Sequence, residues 1–349
     1  MTLKCFIFLV FILGFFFGVN AQDNNSNDSK LKPIVQVFGT ASYEFENERY
    51  SYGFGRAHLG LQYEFNEHVS AKIIIDRGRP TTVADITLED VDGNIRNIRD
   101  ASNEGSYYTM FLKFASLQWN INEHWSIEGG ALLQNHYITQ ERFWGLRYIA
   151  QTFQDLYWKI PSSDLGFMTR YKHNEVFGFD FALTNGEGPR INQDRDGKIK
   201  LAAGINLKPS EKIITRVYGH FRSSDLINSG VEQMASLFLG VNASEKLRIG
   251  SEFNLMKNLN YNKEIDSYGF SLFSVYRVRS NTEIFARYDR LIYDIPSQIE
   301  YAGNSGSSLI TGVSFNPLKG VYLSLNYQGW LSVEAANQNR MLLSMEYKF

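Results

Sequence analysis

The chain has 349 residues, and its 35 Lys and Arg nearly balance its 37 Asp and Glu. That balance gives no basis for nucleic acid as a partner or for a polybasic membrane-surface binder. The one cysteine, Cys5, lies in the first apolar run, so the rest of the chain has no disulfide, no thiolate nucleophile and no cysteine metal site.

The N-terminus reads MTLK, then CFIFLVFILGFFFGV, then NAQDNNSNDSK. A short positive start, an apolar run and a small residue before a polar stretch predict a secretory signal peptide over residues 1–21, cleaved after Ala21 with Val19 and Ala21 in the small-residue positions. The run is shorter than the roughly 20 residues of a spanning helix, which disfavours an uncleaved anchor. No small-residue lipobox precedes Cys5, so lipid attachment there is not expected. An exported chain without disulfides is expected after residue 21: a polar tail over 22–32, then one domain over 33–349 with no linker or change of composition.

From there the pattern alternates with a period of two. Strands are predicted near 34–43, 52–65, 69–77, 107–120, 125–135, 164–171, 175–184, 198–207, 212–222, 231–242, 245–256, 265–277, 282–291, 308–316, 320–330 and 340–349. That is about sixteen, and no apolar helix after the signal is long enough to span a bilayer. The expected fold is all-β, a transmembrane antiparallel β-barrel. Short connections (NEH at 66–68, INEH at 121–124, KHN at 172–174, KPSE at 208–211, ASE at 243–245, VRSN at 278–281, NPLK at 316–319) alternate with longer ones, the largest at about 78–106 and 136–163. Short periplasmic turns and long outer loops are the pattern of an outer-membrane barrel. Tyr63, Phe65, Trp119, Trp125, Phe315 and Tyr322 flank the short turns and are expected in one aromatic girdle.

Alternation also assigns an inner face. Bulky Leu59, Leu61, Tyr63 and Phe65 take the lipid side, leaving Arg56, His58, Gln62 and Glu64 inside. By the same rule Lys72, Arg170, Lys198, Lys200, Arg216, His220, Arg222, Arg248, Arg287 and Lys348 point inward. So do the acids Asp76, Asp180, Glu252, Glu283, Asp289 and Glu346. Such a lining suits a water-filled pore, and its modest cationic surplus predicts a weak preference for anions unless the charges pair across the lumen.

One stretch breaks the rhythm. In QERFWGLRYIAQTFQDLYW (140–158), Phe143, Leu146, Ala150, Phe153 and Tyr157 recur at helical spacing, with Arg147, Gln151 and Asp155 on the other side. It falls in the third long loop, between the fifth and sixth strands. The expectation is a constriction, its apolar side on the inner wall and Arg147, Gln151 and Asp155 toward the solute path; the alternative is an external helix packed on neighbouring loops. At the C-terminus RMLLSMEYKF alternates up to a terminal aromatic, which in a closed barrel gives a lipid-facing strand ending in Tyr347 and Phe349, expected to serve as an assembly signal.

YGFGRAHLGLQYEFNEHVSAKIIIDRG (52–78) and FALTNGEGP (181–189) carry a resemblance to bacterial outer-membrane porins of the phosphate-selective O/P type, and the barrel layout extends it over about the whole mature chain. The resemblance implies sixteen strands, a homotrimer in outer-membrane lipid and passage of small hydrophilic solutes, including anions such as phosphate. In that family phosphate selectivity depends on rows of inward arginines and lysines; here basic residues are interleaved with acids. It implies no cofactor and no catalysis. His68, His124 and His173 sit in short turns, His136 opens the third long loop, and His58 and His220 have no neighbouring nucleophile pattern. NQDRDGKI (192–199) copies the start of a calcium loop but has Ala203 where the closing Glu belongs, so it reads more simply as a tight Asp-Gly turn. The main rival function is a structural or adhesive barrel without a conducting pore.

Overall fold

Alternating apolar and polar side chains leave a strand with one greasy face and two unsatisfied edges, and sixteen such strands satisfy both by closing on themselves. The computed structural model describes residues 30–77, 110–188, 199–224, 229–295, 305–333 and 335–349, and the backbone of 85–89 and 95–99. The signal peptide, most of the polar tail, Lys198 and residues 192–198 of the calcium-like stretch lie outside the described residues.

The barrel strands are β1 (Leu31–Glu44), β2 (Arg49–Glu64), β3 (Val69–Arg77), β6 (Met110–Asn120), β7 (Trp125–Leu133), β8 (Ser163–Lys172), β9 (Phe177–Thr184), β10 (Lys200–Ser210), β11 (Ile213–Arg222), β12 (Glu232–Asn242), β13 (Leu247–Lys257), β14 (Asp266–Arg279), β15 (Thr282–Asp294), β16 (Gly306–Leu318), β17 (Val321–Ser332) and β18 (Gln338–Lys348). Each pairs antiparallel with its chain neighbour, and β1 pairs with β18 to close the ring. A separate two-stranded hairpin, β4 (Asp85–Glu89) with β5 (Ile95–Arg99), lies within the second long connection and was not expected from the sequence.

The lipid-facing set is as alternation predicts: Leu59, Leu61, Tyr63, Phe65, Trp119, Trp125 and Phe315 are all exposed on the outside. Tyr322 is the exception in the predicted girdle. It points inward, beside Tyr148 and under the Lys348 ammonium.

The interior departs from the expected water-filled tube in a second way. Two apolar clusters fill part of it. One joins Leu132, Met168, Met234, Met256 and Leu291 of the wall to Phe153, Trp158 and Ile160. The other joins Phe238, Phe273, Val275, Phe285 and Ile310 to Trp144, Leu146, Tyr148 and Ile149. The non-wall residues in these sets come from the third long loop, apart from Leu259 and Ile265 of the β13–β14 connection in the first cluster. The inner face was not polar throughout, because part of it was written to receive this loop.

Candidate functional site

The helical stretch lies inside the barrel, against β10 to β17. It forms two short helices, α1 (Ile138–Trp144) and α2 (Phe153–Tyr157). Gly145, at φ 74°, ends α1 in the left-handed conformation, and Arg248 lies so close that a Cβ there would meet its guanidinium at 3.1 Å. The following residues turn until Thr152, extended at φ −63° and ψ 165°, starts α2. The wall carries notches for the aromatic side. A Cβ on Gly240 would fall 2.9 Å from the Phe143 ring, and one on Gly269 would fall 2.3 Å from Phe153.

Hydrogen bonds tie the loop down along its length. Thr139 donates to Asn206, Gln154 Nε2 to Asn254 Oδ1, Tyr157 to Asp289, and Trp158 Nε1 to Ser267 Oγ. Wall residues reach back: Arg248 donates to the Trp144 carbonyl, Arg287 to that of Gln151, and Gln328 to that of Ile149. A loop needs such partners, because buried backbone carbonyls without them are costly. The external-helix alternative does not describe this packing.

The predicted site residues divide into two groups. Arg216, His220 and Arg287 are inward but almost fully covered, at 2%, 1% and 3% exposure. Each is neutralised locally: Arg216 forks onto Asp180 at 2.8 and 3.0 Å, His220 meets Glu232, and Arg287 meets Asp289. Arg222 shares Glu232, Arg170 takes Glu128, and Arg248 takes Glu283. Asp155 also departs from expectation. It is buried, 3.3 Å from His136 and 3.5 Å from Arg147, rather than open to a solute. Arg147, half-buried, also binds Glu141 at 2.6 Å, and Gln151 is half-buried.

Burial holds His136 below its ordinary pKa, so the imidazole is neutral at neutral pH. The neighbouring imidazole and Arg147 keep Asp155 ionised despite its burial.

Opposite the loop, on β2, β3 and β6, stands a second charged group that alternation only partly located. Arg56 stacks over Phe38 at 4.8 Å and donates to Gln36. Asp76 accepts from Lys113 at 2.8 Å and meets His58 Nε2 at 3.2 Å. The charges of Glu141 and Arg147 on the loop act on Arg56, and Arg147 acts on Lys113, so loop and wall face each other here. Alternation does not assign Lys113 to the inner face, for a definite reason. Strict parity with Phe114 sends it outward, but the register slips between Ile74 and Ile75, pairing Phe114 and then Leu112 and leaving Lys113 as a bulge that turns in. A matching slip between Phe38 and Gly39 bulges β2 just before Arg56. Two bulges flank this patch of wall, which faces the loop's charged side.

Below this level, at the short-turn end, opens a cavity of about 1410 Å³. Lys72, Arg142, Arg170 and Arg216 contribute to its lining, together with Glu128 and Asp180, amide side chains, and Glu67, Glu123 and Glu175 at the turns. Neither Lys72 nor Arg142 forms an ion pair among the described residues; Lys72 lies over the Phe114 ring at 5.3 Å and acts on Glu128 from a distance. At the C-terminus the Phe349 N–H donates to Val35 and its carbonyl accepts from Val35, both at 3.2 Å, while Tyr347 and Phe349 face outward.

Comparison with protein-family models and with curated proteins gives no match. Solved structures do match in shape. The chain is similar to OmpF of Salmonella typhi (TM-score 0.64, 11% identity, covering 91% of this chain and 97% of that one). It is similar to the anion-selective porin of Comamonas acidovorans (TM-score 0.63, 10% identity, 91% and 99%) and to the outer-membrane protein OmpT of Vibrio cholerae (TM-score 0.62, 11% identity, 94% and 100%). At this level of identity the likeness is one of fold: a sixteen-stranded closed barrel of the outer-membrane porin type.

Proposed function

We propose that the protein is an outer-membrane diffusion channel for small hydrophilic solutes, exported through a cleaved signal peptide, in which the third loop (about 136–163) narrows the lumen. The observation that carries this reading is the loop itself, bonded into the barrel and leaving its charged side opposite Arg56 and Lys113. A narrowed passage with fixed charges on both sides selects solutes by size and by sign.

The sign follows from pairing rather than from totals. Most inward acids are engaged by a neighbouring cation. Lys72 and Arg142 form no ion pair among the described residues and Arg56 contacts an amide, so the unpaired wall charge beside the loop is positive, while the exposed acids Glu67, Glu123 and Glu175 stand at the turns below. A weak anion preference follows, without the unopposed rows of basic residues that strict phosphate selectivity requires. A homotrimer is part of the same reading, drawn from the porin resemblance.

The test is electrical. Purified protein in planar bilayers under a salt gradient should give a reversal potential of the anion-favouring sign. Deletion of residues 140–158 should raise single-channel conductance severalfold. A cation-favouring potential would overturn the selectivity, and an unchanged conductance after deletion would overturn the constriction. A second reading, a non-conducting structural or adhesive barrel, draws support from the apolar clusters that fill the space behind the loop. Absence of any channel in the same bilayers would favour it.

A further inference from the structure

A second cavity, about 360 Å³, lies behind α2 at the long-loop end, between that helix and β15 to β18. It shares no lining residue with the cavity at the short-turn end, and its chemistry differs. One side is an aromatic platform: Trp330 and Tyr157 stand 5.6 Å apart at 36°, with Tyr293 beside them. Trp330 is pinned, since its ring lies where a Cβ of Gly306 would be, at 2.4 Å. Tyr157 is held by its hydroxyl bond to Asp289. Both rings therefore keep a fixed pose without a ligand.

The facing side is polar. Gln328 donates both of its observed bonds elsewhere, to Ile149 and Asn326, which leaves its carbonyl oxygen as an acceptor toward the cavity. Gln338 stands opposite Trp330 in the β17–β18 register, and Arg340 stands opposite Gln328. Arg340 has no ion pair or hydrogen bond among the described residues, and its Nε is buried without a partner. Glu44, its register neighbour on β1, accepts from Asn47 instead. A partly buried guanidinium left unpaired, in an interior where Arg170, Arg216, Arg222, Arg248 and Arg287 each meet an acid, calls for an acceptor.

We propose that this cavity is a binding subsite for a sugar acid of hexuronate size. The π-faces of Trp330 and Tyr157 suit the apolar C–H face of a pyranose ring. The amides of Gln328 and Gln338 match hydroxyls that both donate and accept. The Arg340 fork takes the carboxylate. A neutral sugar would leave the guanidinium unpaired, and a flat aromatic acid would leave the amides without hydroxyl partners. The inference rests on the channel reading, because it names a class of solute that would dwell on the way through.

The test uses the purified full barrel in detergent, with saturation-transfer NMR and calorimetric titration of glucuronate, glucose and benzoate, followed by the same solutes as blockers of single-channel current. Glucuronate should bind saturably and more tightly than glucose or benzoate. Trp330→Ala should weaken it about tenfold while Trp330→Phe keeps most of it, and Arg340→Gln should remove the preference for glucuronate over glucose. Retained heat-modifiable migration on gels confirms that each variant is folded. No saturable glucuronate binding, benzoate binding as tightly, or affinity unchanged in folded Trp330→Ala would overturn the subsite. Conductance without glucuronate binding sinks this inference alone. Binding without conductance keeps the subsite and sinks the channel.

Discussion

Asp180 and Arg216 show how a single inward charge is made tolerable. They sit on β9 and β11, with β10 between them, and they meet above Gly204. The missing side chain is what lets them meet, since a Cβ on Gly204 would lie 2.2 Å from the guanidinium. Tyr218 supplies a ring 5.6 Å from the same cation. Removing only the acid strands a buried cation, so Asp180→Ala should cost about 3–5 kcal/mol. The double variant Asp180→Leu with Arg216→Leu, which removes both charges, should recover most of that loss. Thermal unfolding midpoints in detergent, read by heat-modifiable migration, check both, and an Asp180→Ala midpoint equal to the parent's would show that the pair is not holding the wall. Alternation placed both residues on the inner face. The partnership was hidden, because it depends on register across three strands and on a glycine whose role appears only once they are aligned.

At the scale of the element, the third loop was legible as a helical rhythm and as a constriction candidate, but not as two helices with a buried charge. Period alone treats Asp155 as the polar side of one cylinder. The Gly145 break changes the phase, and Asp155 turns in toward His136. That pair makes the loop's seat sensitive to acid. The charges around the imidazole are Asp155 on α2, Lys200 on β10 and Arg216 on β11, with Tyr218 beside it. Burial depresses its pKa, so the unfolded or released loop binds a proton that the seated loop does not. Seating is therefore favoured fully above the ordinary histidine pKa of about 6.5 and weakens as pH falls through and below it. Protonation of Asp155 acts in the same direction at still lower pH. Lowering pH from about 7.5 to 5 should thus speed cleavage within 140–160 by an acid-tolerant protease, relative to an unfolded control peptide, and should raise channel noise. His136→Gln should flatten this dependence. An equally steep response in that variant would move the sensor elsewhere.

At the scale of the whole molecule, closure decides everything else, since an open sixteen-stranded sheet would expose two edges and a lipid-facing surface with no interior to seat the loop. The sixteen strands were readable because each buries one face in lipid and needs no help from neighbours to show its period. What escaped, the bulges at Lys113 and ahead of Arg56, are places where the ring departs from parity to aim a side chain, whereas Tyr322 turns inward in step with Ser324 and Asn326 of its own strand. The seam between β1 and β18 joins the two ends of the strand series, and its lower end is fastened by the paired hydrogen bonds of Val35 and Phe349. Two such bonds, at about 1 kcal/mol each, and one exposed aromatic ring are small beside the whole seam. Deleting Phe349 should therefore leave the folded barrel, once refolded in detergent, within a few degrees of the parent in midpoint. Its larger effect should be on delivery: in cells, the fraction of chain in the heat-modifiable outer-membrane form should fall severalfold, while Phe349→Tyr, which keeps the ring and the backbone bonds, should restore it. Outer-membrane fractionation with a refolding control separates the two outcomes. Equal loss of refolding and of delivery would make the terminal residue a structural clasp, and a delivered, fully folded deletion variant would remove it from assembly altogether.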